Sequence, residues 1–134
     1  MSGRERSAQS WAEKAEHDLT ACRTLNASSD APWDIVVFHA QQAAEKYLKA
    51  LLVHHDKIVP KIHDLERLLD LCSQLDASLP TLSTECRRLT QLGFASRYPD
   101  SPHEPSEQDA REAMGLAESI CDAVCSRLPR ADPS

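Results

Sequence analysis

The sequence predicts an all-α protein, an antiparallel up-and-down bundle of about five helices. Three observations carry that expectation. Glycine occurs only at Gly3, Gly93 and Gly115, too few for strings of tight hairpins or for the Gly-rich loops that cradle phosphates and dinucleotides. Apolar residues recur every three or four positions in five separate segments, the period of a helix rather than of a strand. Proline and short polar breaks divide those segments, and no repeat or interdomain linker interrupts the 134 residues, so a single domain follows.

The first apolar stripe, Trp11, Ala15, Leu19, Cys22 and Leu25, predicts a helix from about Ser10 to Asn26. The polar stretch from Asn26 to Pro32 breaks it. Trp33, Val36, Val37, Ala40, Ala44, Tyr47, Leu48 and Leu51 then form a longer stripe, widened by Phe38 and Leu52. Asp34, Gln41, Gln42, Glu45, Lys46 and Lys49 fall on its other faces. Glu45 and Lys49 form an i, i+4 pair of the kind that normally decorates a solvated face. Pro60 cannot continue a helix and turns Val59 away from helical geometry, so residues 54–62 read as a loop.

His63 or Asp64 then caps a third helix with Leu65, Leu68, Leu69, Cys72 and Leu75 on its apolar face. Leu79, Leu82, Cys86, Leu89 and Leu92 supply a fourth, ending near Gly93, whose tolerance of positive φ suits a helix end, or running on to Ala95. Three prolines hold Arg97 to Pro105 open. Ser106, with Asp109 three residues later, opens a fifth helix as a capping box, and Ala110, Ala113, Met114, Ala117, Ile120, Cys121, Val124 and Leu128 give its apolar face.

Net charge is −6 and the pI near 5.4, which argues against a surface coated for duplex nucleic acid. The charge is uneven. Residues 44–97 carry eight Lys or Arg against seven Asp or Glu, and the remainder seven against fourteen. An anionic partner therefore meets the central helices in preference to the termini. The five cysteines include no Cys-x-x-Cys pair, which predicts no zinc site. Cys22, Cys72, Cys86 and Cys121 fall in register with leucines and read as core residues of a protein in a reducing compartment. The polar start, and apolar runs no longer than four residues, predict neither a secretion signal nor a membrane span. The expected location is the cytoplasm.

The order of motifs is more specific than any one of them. An amphipathic first helix is followed by Gln41-Gln-Ala-Ala-Glu-Lys-Tyr-Leu-Lys-Ala-Leu-Leu52, then Lys61-Ile-His-Asp-Leu65, then Arg97-Tyr-Pro-Asp100, then a closing helix. Over about residues 7–128, with 129–134 left as a disordered tail, the chain resembles the HEPN domain family. The resemblance implies a small helical bundle that often dimerises, with a homodimer expected here, and that commonly acts beside a minimal nucleotidyltransferase; no cofactor or metal is expected. It also implies that some branches are metal-independent ribonucleases or the toxins of toxin–antitoxin pairs.

Two sets of residues follow from it. Glu45, Lys49, His63, Arg97 and Tyr98 are the expected contacts to a nucleotide: Lys49 and Arg97 as phosphate donors, Tyr98 as a stacking ring. Arg97 and His103 are separated by five residues, within the spacing by which the ribonuclease branches are recognised. In such a pair a neutral imidazole takes the 2′-hydroxyl proton and a guanidinium meets the developing phosphorane charge. The chain departs from those branches in Tyr98, and in the rigid Pro99 and Pro102 around the loop. The leading expectation is a nucleotide-handling or interaction module, and the alternative is an endoribonuclease using Arg97 and His103.

The other histidines carry weaker signals. His54 and His55 are explained by the dipole at a helix end. His63 reads as a capping or packing residue within reach of Glu45. His17 and His39 read as chance placements on helices.

Overall fold

In the computed structural model, residues 2–97 and 104–129 are described, with 95–97 as backbone only. Five α-helices form the bundle: α1 (Gly3–Asn26), α2 (Trp33–His54), α3 (Leu65–Ser73), α4 (Ser83–Arg97) and α5 (Glu107–Cys125), and a 3-10 turn (Leu79–Leu82) precedes α4. No strand occurs among the described residues. The all-α bundle expected from the sequence is the fold observed.

α2 is the axis of the molecule, because α1, α3, α4 and α5 all pack against it. The sequence makes this possible through Ala40, Ala43, Ala44 and Ala50, all fully buried, whose small side chains let neighbouring helices approach on several sides. Val36, Val37, Leu48, Leu51 and Leu52 fill the intervening space. A helix buried nearly all round has no wide solvated face. Of the two positions expected to widen its core side, Leu52 is buried, while Phe38 remains 39% exposed.

Helix ends depart from expectation in two places, each for a local reason. α1 starts at Gly3, not Ser10: the Ser2 hydroxyl accepts from the Glu5 amide at 3.1 Å, and Glu5 sits against the positive end of the helix dipole. That first turn is polar and carries no apolar period. α2 ends at His54, where the expected loop of residues 54–62 begins, well before Pro60. Asp56 adopts φ 61°, and the amides of Lys57 and Asp56 donate to the carbonyls of Leu52 and Val53, both at 2.9 Å, forming a Schellman stop with Asp in the place usually held by Gly.

The second departure is Gly93, which lies inside α4 with ordinary negative φ, while the helix runs on to Arg97. The fourth apolar stripe also begins as the 3-10 turn at Leu79 and Pro80, and becomes α-helical only at Ser83.

Other local signals read directly. Asp64 is the cap of α3, accepting from the Glu66 amide at 2.9 Å. Ser106 and Asp109 form the reciprocal capping box at the start of α5, each bond 3.1 Å. Cys22, Cys72, Cys86 and Cys121 are buried, and Cys125 is exposed. Burial pushes the thiols of Cys22, Cys72 and Cys86 up to about 12 and raises that of Cys121 as well, so these side chains act as small apolar groups.

The end of α5 is tied back to the corner after α3. Asp76 accepts from the Ser78 amide at 2.9 Å, the Ser78 hydroxyl at 2.6 Å and Arg127 Nε at 2.7 Å. The two Ser78 bonds, reinforced by Arg127, lower the Asp76 carboxyl from 3.8 to about 2. Its stabilising contribution is therefore complete above the ordinary carboxylate range and is lost as pH falls from about 4 towards 2. NMR titration of the Asp76 carboxyl is expected to give a midpoint near 2 in the native chain and a value shifted up towards 3.8 in Ser78→Ala. An unchanged midpoint in the variant would contradict this account.

Candidate functional site

Gln41, Glu45 and Lys49 lie one turn apart on α2, so their side chains share one line along the helix. The sequence placed them on a solvated face. The structure corrects this: they are only 3%, 4% and 5% exposed. The line faces the packed surfaces of neighbouring elements, and its polar atoms meet partners there. Lys49 Nζ donates to Glu45 Oε2 at 3.1 Å and stands 5.8 Å from the ring centroid of Trp11 on α1, a cation–π approach.

Glu45 also receives His63. The imidazole Nδ1 lies 3.1 Å from Oε1 and 3.2 Å from Oε2. Gln41 Nε2 donates to the His63 carbonyl at 3.2 Å, so α2 grips this residue by both ring and backbone. Asp64 does the capping, which leaves His63 to bind Glu45. The His63 side chain is 62% exposed although its carboxylate partner is buried.

Beside this network is a hollow of about 170 Å³ lined by Gln41, His63, Asp64, Thr90 and Phe94. Thr90 Oγ1 is buried and has no hydrogen-bond partner among the described residues. The Phe94 ring is 63% exposed. Gly93 allows the wall to form: a Cβ at that position would fall 2.1 Å from Gln41 Oε1 and 2.8 Å from Cδ. A side chain at this position would have to displace the end of the Gln41 side chain from its place.

Arg97 ends α4 one turn beyond Gly93, which brings its backbone to the same end of the bundle. Tyr98 and His103 lie outside the described residues, and so does the Arg97 and His103 pairing. Of the residues expected to contact a nucleotide, Glu45, Lys49 and His63 are thus brought together, with Lys49 turned inward.

A second polar cluster was missed. Asp18, 7% exposed on α1, accepts from His39 Nδ1 at 2.8 Å and Lys46 Nζ at 2.6 Å, both on α2. His39 is therefore an interhelical partner, and Lys46 is the Asp18 counterion. The seven-residue spacing of His39 and Lys46 was the available signal, since it puts both on one face. Tyr47 donates to Glu16 across the same helix pair, and burial together with that bond raises its phenol. At the far end of α2, burial lowers His54, aided by the neighbouring charges of His55 and Arg4. Desolvation outweighs the dipole there. Among the described residues no group of three His, Cys, Asp or Glu side chains is placed to hold a metal ion, and no helix is long and apolar enough to cross a membrane.

A bundle wrapped on one central helix, with a buried Gln, Glu and Lys line reaching the segment before α3, defines a class of all-α domain. The HEPN domain family profile matches residues 8–128. The chain belongs to the HEPN domain family. It is similar to the crystal structure of an archaeal HEPN homologue, with a TM-score of 0.70 and 26% identity, over 91% of this chain and 98% of that one. No curated protein matches it.

Two thermodynamic cycles test this geometry. Glu45→Gln leaves a buried ammonium without its countercharge and is expected to cost about 3–5 kcal/mol, whereas Glu45→Gln with Lys49→Met recovers most of the loss. Equal losses in the single and double variants would show that the pair is not coupled. Gly93→Ala gains about 1 kcal/mol of helix propensity but expels the Gln41 amide from its bond, so a net loss of about 1–2 kcal/mol in urea unfolding is expected. In a Gln41→Ala background the same substitution becomes neutral or stabilising. A stabilising Gly93→Ala in the native background would refute the close-approach argument.

Proposed function

We infer that this HEPN domain is a nucleotide-handling or interaction module that works with a minimal nucleotidyltransferase partner. One observation carries the reading. The motifs around Glu45, His63 and Gly93, distant in sequence, meet at one network beside a hollow lined by Gln41, His63, Asp64, Thr90 and Phe94. The near-neutral charge balance of residues 44–97 supports the approach of an anionic ligand to this end, against an acidic remainder. In this reading His63, Arg97 and Tyr98 face the nucleotide, and Lys49 serves as the counterion that holds Glu45 in place.

The active form in this reading is a homodimer in the cytoplasm. The exposed apolar Ile35 and Phe38 on α2 support an interface between copies. The four buried free thiols are compatible with a reducing compartment. The ribonuclease alternative uses Arg97 and His103, without metal or cofactor, as the toxin of a toxin–antitoxin pair. Its support is the backbone of Arg97 at the same end of the bundle.

Calorimetry with AMP and ATP on the full chain is the direct test. Binding is expected to weaken at least tenfold in Arg97→Ala or His63→Ala and to fall with added salt. Absence of binding to either nucleotide, together with no association with a co-expressed nucleotidyltransferase, would overturn the module reading. Chelator-resistant RNA cleavage that disappears in His103→Ala would establish the alternative.

A further inference from the structure

The protonation geometry of His63 says which part of a nucleotide this site takes. An ionised carboxylate is an acceptor only, and Nδ1 faces both Glu45 oxygens at 3.1 and 3.2 Å. The buried Lys49 ammonium on the same carboxylate supplies its countercharge. In the neutral ring the proton therefore resides on Nδ1, and Nε2 carries the lone pair, as in other imidazoles whose second nitrogen is set by a carboxylate. Nε2 has no hydrogen-bond partner among the described residues, on a side chain 62% exposed at the lip of the hollow.

An acceptor at that position pairs with a donor. Phosphate oxygens are acceptors, and the neighbouring Asp64 carboxylate also lines the hollow, so an anion is disfavoured at this point. Lys49, with its side chain 7% exposed and its ammonium on Glu45, does not offset this. At about 170 Å³ the hollow has room for one ring system, well below the roughly 300–1,000 Å³ that encloses a drug-sized ligand. A ribose combines that size with aliphatic hydroxyl donors, and a base amino group is the competing donor that 2′,3′-dideoxyadenosine separates from it.

We propose that His63 presents Nε2 as a hydrogen-bond acceptor to a ribose hydroxyl of a nucleoside or nucleotide, with Glu45 as the positioning residue that fixes the tautomer. The inference rests on the nucleotide reading above and revises it: the sugar sits at His63, and the phosphate lies outside the hollow. Glu45 acts through His63 and does not touch the ligand.

Nitrogen-15 NMR of the full chain labelled at histidine reads the tautomer directly, with the His63 signals assigned by their loss in His63→Gln. The native protein is expected to hold the proton on Nδ1, whereas free imidazole side chains in water favour Nε2. Glu45→Gln with Lys49→Met removes both buried charges and is expected to return His63 to the Nε2 form. Adenosine and AMP are expected to shift the His63 Nε2 resonance, and 2′,3′-dideoxyadenosine and inorganic phosphate to leave it in place. A proton on Nε2 in the native chain overturns the proposal. So does an equal response to dideoxyadenosine, or AMP binding that shifts other residues but not Nε2, and these outcomes leave the nucleotide reading standing. If neither adenosine nor AMP shifts any resonance, the nucleotide reading falls with it.

Discussion

The structure depends on one electrostatic constraint, the Glu45 and Lys49 pair held within the packed interior on α2. Removing two charges from water costs several kcal/mol for each ion, and their mutual attraction offsets this only when the remaining polar atoms also find partners. Here they do, through His63 on the carboxylate and the Trp11 ring near the ammonium. The pair thereby reaches elements other than its own helix: α1 through Trp11 and the segment before α3 through His63. The Gln41 amide continues the line to the His63 backbone and onto the wall of α4 at Gly93. An apolar stripe at these positions would bury equally well but would tolerate small rotations of α2, whereas hydrogen bonds of fixed length and direction do not.

The Asp18 cluster repeats this arrangement on the α1 side. A nearly buried acceptor on one helix takes two donors from the other, His39 and Lys46, separated by two turns. Together with the bond from Tyr47 to Glu16, it sets the register of α1 against α2, the most extensive helix pairing in the bundle. The two networks use α2 differently. The Asp18 cluster joins side chains of two long helices and is satisfied by them, with no loop involved. The Glu45 network ends in a loop residue whose ring is open to solvent.

Much of this was legible in the sequence because leucine spacing and cap chemistry are local. The stripes through Leu65, Leu68 and Leu69, and through Ala110, Ala113 and Ala117, follow helix period directly, and the Ser106 and Asp109 box is complete within four residues. The Glu45 and Lys49 pair was not legible, since a charged i, i+4 pair has the same spacing on a solvated face as on a buried one. Only the surplus of alanines on several sides of α2 hinted that the helix would be surrounded. Gly93 was misread for the same reason. A glycine near the end of an apolar stripe signals a turn by local rules, and the Gln41 side chain that a Cβ there would meet is fifty-two residues away in the chain. Asp56 escaped notice because Pro60, four residues later, was a sufficient local explanation for the break.

The convergence of separated motifs on one end of the bundle has a chemical consequence. Within the network, Glu45 and Lys49 cancel, so the buried part of the site presents no net charge to a ligand, and His63 is the polar group through which it faces solvent. What the site offers at this point is therefore hydrogen-bond direction rather than net charge. The cost of burying the ion pair is carried by the packing of α2, and the loop before α3 is held at ring and carbonyl by two different side chains of that helix. The imidazole keeps its orientation while its outer edge stays open to solvent, because the groups that position His63 are inside the core.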